Sequence, residues 1–71
     1  MVNTDKLRGL IAEKGFSQSD VARRIGITPK TFYEKMRKRV FYSDEIEAII
    51  DMLNITDAER VNAIFFDQNV T

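Results

Sequence analysis

Apolar residues recur along this chain at spacings of three and four, and no stretch alternates singly for long enough to suggest a strand. Leu7, Leu10 and Ile11 fall at i, i+3 and i+4, which predicts a helix over 5–14. Asn3 or Thr4 would cap it, and Gly15 stands where a residue at positive φ ends a helix, with Phe16 packed behind. Val21, Ala22 and Ile25 predict a second helix over 18–25, with Arg23 and Arg24 on its outer side. Ser17 suits its N-cap, Asp20 the acidic position of a capping box, and Gly26 its end. A third helix, 29–38, starts at once, with Thr28 as N-cap and Pro29 first, where a missing N–H does no harm. Phe32 and Met36 make its inner edge.

Ser43 as N-cap, with Asp44 and Glu45 in the first turn, predicts a fourth helix over 44–53. Its core stripe is Ile46, Ile49, Ile50 and Leu53, and Asn54 is its stop. The fifth, 57–66, opens on the capping-box pattern Thr56 to Glu59 and would bury Ala58, Val61, Ile64 and Phe65. The connection at 39–42 reads either as a loop plugging the core or as a short extended segment. The expected fold is all-α, five helices in one domain over 1–71. The corner between helices 2 and 3 has a definite form. Gly26 and Pro29 would spoil a single helix, but they suit two short helices joined by a tight turn, a helix-turn-helix. In that motif the second helix protrudes and fits the DNA major groove.

The formal net charge is zero, but its distribution is not even. Residues 1–39 hold ten basic and four acidic side chains, a net of +6, and residues 40–71 hold one basic and seven acidic, a net of −6. Such a split gives the chain an attractive and a repulsive side for a polyanion. There is no cysteine and no histidine, so thiolate or imidazole metal sites, disulfides and histidine-based catalysis are absent by inventory. No metal, no cofactor and no enzymatic activity is expected. No apolar run is long enough to span a membrane, and the N-terminus lacks a signal-peptide core, so the expected setting is the cytoplasm.

Residues 15–33, GFSQSDVARRIGITPKTFY, resemble the helix-turn-helix domains of the Cro/lambda-repressor class, the xenobiotic-response-element-like regulators. Counting Gln18 as the first motif position, that pattern asks for apolar residues where Val21, Ile25, Ile27 and Phe32 stand, a small residue at Ala22 and glycine at Gly26. All six fit. The eighteenth position is usually apolar and here is Lys35, with Met36 next to it as a substitute and the Lys35 stem along the core edge. The five-helix pattern is similar to the family over residues 4–66, and the ending NAIFF looks like small phage and prophage regulators of Gram-positive bacteria.

The resemblance implies a five-helix lambda-repressor-like DNA-binding domain acting as a transcription regulator on a double-stranded operator. It places Gln18 at a phosphate, with Ser17 either helping or serving only as a cap. It gives base reading to Pro29, Lys30 and Glu34, with Thr28 and Thr31 beside them. Lys30 has the chemistry for guanine O6 or N7, and Glu34 for cytosine N4. An intrahelical ion pair of Glu34 with Lys30 or Lys38 is the competing reading. Tyr33 either meets the DNA backbone or packs against helix 4. Arg37, Lys38 and Arg39 follow the reading helix and suit phosphates, against the alternative of a solvated charge run. Arg23 and Arg24 could also reach the backbone.

Regulators of this class usually bind as two-fold dimers, so Phe65, Phe66 and Val70 are the candidate homodimer contact, with 40–42 as a second candidate surface. The adjacent phenylalanines cannot both point into one small core. The competing reading makes the chain an interaction module, an antirepressor or corepressor that binds a second phage regulator through its acidic or apolar half.

Overall fold

In a computed structural model, which describes residues 1–68, five helices form: α1 (Thr4–Glu13), α2 (Gln18–Ile25), α3 (Pro29–Lys38), α4 (Ser43–Met52) and α5 (Ala58–Phe65). No strand occurs among the described residues. The all-α expectation is met.

Four of the five helices stop in the same way. Each ends on a residue with positive φ: Gly15 (84°), Gly26 (86°), Arg39 (61°) and Asn54 (53°). The next N–H then reaches back five residues. Phe16 donates to Ile11, Ile27 to Ala22, Val40 to Lys35 and Ile55 to Ile50, at 3.0–3.2 Å. These bonds satisfy carbonyls that a helix end leaves open. The following residue is apolar every time, and two of the four stops turn it onto the core. Ile55 is buried this way and Ile27 packs on the core, while Phe16 and Val40 stay exposed. Gly15, Gly26 and Asn54 were legible as stops. Arg39 was not, because an arginine gives no sign of left-handed backbone, which costs an L-residue about 1–2 kcal/mol.

The helix starts follow capping chemistry. The Asn3 side chain accepts from the Lys6 N–H at 3.1 Å. Ser17 and Asp20 form the reciprocal box, at 3.0 Å and 2.8 Å. Two expected caps are displaced by one residue. Tyr42, not Ser43, precedes α4, and the Glu45 carboxylate accepts its N–H at 2.7 Å. Asp57, not Thr56, caps α5, accepting from the Glu59 N–H at 3.0 Å. At α5 the Asp57 carboxylate takes the N–H that Thr56 would have capped, and a charged acceptor outcompetes a hydroxyl, while at α4 the Glu45 carboxylate reaches back to the Tyr42 N–H.

The core gathers one face of every helix. Leu7, Val21, Ala22, Phe32 and Ile49 are fully buried, with Ile11, Leu53, Ile64 and Phe65 nearly so. Ile25, Ile46, Ile50 and Val61 are partly buried against them. Ala58 is exposed, against expectation, because it opens α5 at the surface. The 39–42 connection is a loop whose Phe41 plugs the core, its ring centroid 5.5 Å from that of Phe32. Val2 is buried too, and the chain start is tied down at both neighbours. The Val2 N–H donates to the Arg39 carbonyl at 3.1 Å, and the Asn3 N–H to the Ile64 carbonyl. These two bonds link the end of α3 to α5.

Candidate nucleic-acid interface

α2 packs against α1, α3 and α4, so the helix-turn-helix pair is held from behind by the rest of the fold. Ala22 is fully buried between α2 and its neighbours, where a longer side chain would force them apart. Gly26 makes the turn and Ile27 packs on the core. The Thr28 hydroxyl then accepts from the Thr31 N–H at 3.2 Å and donates to the Thr31 hydroxyl at 2.9 Å. The first turn of α3 is thereby fixed, and the two threonines hold each other in place.

Phe32 and Met36 anchor α3 inward. That leaves Thr28, Lys30, Thr31, Tyr33, Glu34, Arg37 and Lys38 exposed and Pro29 partly so. Among the described residues, Lys30, Arg37, Lys38 and Glu34 make no ion pair. The competing intrahelical pairing of Glu34 with Lys30 or Lys38 is therefore not formed. Its carboxylate stands open on a cationic face.

Tyr33 leans toward α2. Its hydroxyl lies 3.4 Å from the Ser19 hydroxyl on α2, and the ring stays about half exposed. Ser17, Gln18 and Tyr33 line one shallow groove together with Arg8 and Phe16. Ser17 is engaged as a cap, yet as an acceptor there it keeps its own hydroxyl hydrogen for another partner. Asp20 is held below the ordinary aspartate pKa, first by the Ser17 N–H, then by the Ser17 hydroxyl and by Arg23. Arg23 is paired with Asp20 at 2.8 Å, while Arg24 is exposed and unpaired among the described residues. Arg39 is partly buried at the left-handed end of α3.

The Lys35 stem lies at the core edge, as its position in the motif implies. Lys35 is drawn inward: its ammonium lies 3.1 Å from the Glu45 carboxylate and 3.9 Å from the centre of the Tyr42 ring. It ties α3 to α4 and takes no part in the outer face. Sequence reading missed this cluster. The available signal was Lys35 at a usually apolar position, together with a glutamate one residue before the α4 core stripe. Arg60, the only basic residue of the acidic half, pairs back to Glu13 of α1 at 3.2 Å.

Of the candidate homodimer residues, Phe65 is core at 2% exposure, which removes its side chain from any contact surface. Phe66 is 56% exposed, and Val70 lies outside the described residues. No group of residues suited to a metal ion occurs among the described residues, and no helix there is long and apolar enough to cross a membrane.

Comparison with known proteins agrees with this geometry. No curated protein and no solved structure matches the chain significantly. A family profile, the Cro/C1-type HTH DNA-binding domain, matches residues 6–59, from α1 to the start of α5 and with the whole helix-turn-helix inside it. The chain therefore belongs to the Cro/C1-type helix-turn-helix DNA-binding family.

Proposed function

We propose that this chain is a sequence-specific transcription regulator that reads an operator with α3 in the major groove. The observation that carries this reading is the outer face of α3: a base-sized set of exposed polar side chains, Thr28, Lys30, Thr31 and Glu34, backed by a fully buried Phe32. In this reading Lys30 donates to guanine, Glu34 accepts from a cytosine amine, and Pro29 lies near a thymine methyl. Ser17, Gln18 and Tyr33 take one phosphate strand at the start of α2, and Arg37, Lys38 and Arg39 take the other end. The open carboxylate of Glu34 supports base reading over simple charge attraction, because beside phosphates it gains only from a specific donor. Two copies meeting through the exposed Phe66 would read two half-sites of a pseudo-palindrome and occlude a promoter.

The test is a titration of the protein with duplex DNA flanking its own gene, against unrelated DNA of equal length, at two salt concentrations. The expected result is tighter binding to the flanking DNA, a steep loss with salt, and loss of the preference in Lys30→Ala. Equal, weak binding to both duplexes would reject operator reading.

A further inference from the structure

α4 carries a second charged face that no ion pair among the described residues neutralises. Asp44, Glu47 and Asp51 fall at i, i+3 and i+7, all exposed. They lie within an arc of about 60°, opposite the buried Ile49 and Leu53. Among the described residues none of the three makes an ion pair. The stripe borders an open groove to which Ile50 and Ile55 contribute beside Glu47 and Asp51. Carboxylates along an apolar-floored groove suit a cationic helix that also brings a flat apolar group.

α3 has that composition at the same spacing. Lys30, Tyr33 and Arg37 are also at i, i+3 and i+7, and all are exposed. The outer residues of either stripe are about 10.5 Å apart along the helix axis, so they match in either direction. We propose that the acidic face of α4 takes α3 of a second copy of this chain, head to tail. Lys30 and Arg37 would meet Asp44 and Asp51, and the Tyr33 ring would cover the groove beside Glu47. The formal net charge of zero lets copies add without accumulating repulsion. The contact is heterologous: an open assembly keeps one free α3 at one end and one free α4 at the other, so association continues as a chain unless a ring closes. On the reading of α3 as the DNA face, such association masks that face and DNA competes for it.

The test uses the full chain in sedimentation velocity, with folding checked by circular dichroism. Wild type is expected to associate at about 50 mM NaCl and at least about tenfold more weakly at about 500 mM, since exposed pairs are screened. Lys30→Glu with Arg37→Glu should lose this salt-sensitive association, and so should Asp44→Lys with Asp51→Lys. An equimolar mixture of the two double variants should regain it, since the native α3 and α4 faces meet and the two reversed faces are again opposite in charge. If either reversal disturbs the fold, the neutral pairs Lys30→Gln with Arg37→Gln and Asp44→Asn with Asp51→Asn should still lose the association. Wild type that stays unassociated at low salt would overturn the proposal. So would a mixture that fails to combine, or an α3 variant that associates like wild type. Duplex DNA should dissolve the wild-type complex; if only this arm fails, the DNA reading of α3 is at fault and the head-to-tail contact stands.

Discussion

The Lys35–Glu45 pair gives a stability prediction that separates an interior contact from a decorative one. The Lys35 side chain keeps 18% of its exposure and that of Glu45 keeps 7%. Glu45 also accepts the Tyr42 N–H, so one carboxylate closes α4 and anchors α3. Glu45→Gln keeps the volume and an acceptor for Tyr42 but removes the charge. A fully buried pair broken on one side costs about 3–5 kcal/mol, and an exposed pair about 0–1. Lys35 can still move its ammonium toward water, so the expected loss is about 2 kcal/mol. For a chain of this length that lowers Tm by about 8–16 °C. Lys35→Met leaves Glu45 the more deeply buried orphan and should cost about 3 kcal/mol. The double variant should recover, with a coupling energy of about 1.5–2 kcal/mol in a double-mutant cycle read by thermal denaturation. A coupling below about 0.5 kcal/mol would refute the reasoning, because the pair would then behave as a surface pair.

Three further outcomes follow from the same geometry. Gly26→Ala should cost about 1–2 kcal/mol by chemical denaturation, all of it from the left-handed backbone, since an added Cβ meets nothing within 4 Å; Gly26→Asn should recover part of the loss. Asp20 titrates lower in the folded chain than in the unfolded one, so its stabilising bonds are present above about pH 4 and are lost as pH falls through the folded value. Asp20→Asn should therefore lower stability at neutral pH, leave the acid end nearly unchanged, and so make the acid limb of stability against pH shallower. Arg37→Ala should weaken binding to operator and unrelated DNA alike and reduce the salt slope by about one, with the preference between them kept.

Local rules made much of the fold legible. Helix starts and stops depend on a few adjacent residues: Ser17 with Asp20, Thr28 with Pro29, Gly26 alone. Where a second acceptor stood within two residues, as Glu45 does after Ser43 and Asp57 after Thr56, the pattern named the helix but missed its first residue. The outward direction of Lys30, Glu34 and Arg37 was equally legible, because a helix with Phe32 and Met36 inward must turn them to solvent, while that of Tyr33 was left open.

The sequence by itself determined the five helices, the corner at Gly26 and the composition of the α3 face, since each depends on residues within one or two turns of each other. Tertiary structure decided which of those charges remain available. Lys35 is withdrawn by Glu45, ten positions away, and Arg60 by Glu13 on another helix. It decided that Phe66 faces out, a choice the helical spacing that turned Phe65 inward does not make for its neighbour. It also buried Val2 and joined the chain start to Arg39 and Ile64. These contacts form between segments distant in the chain, and their free energy comes from burial and pairing that exist only once the helices are packed together.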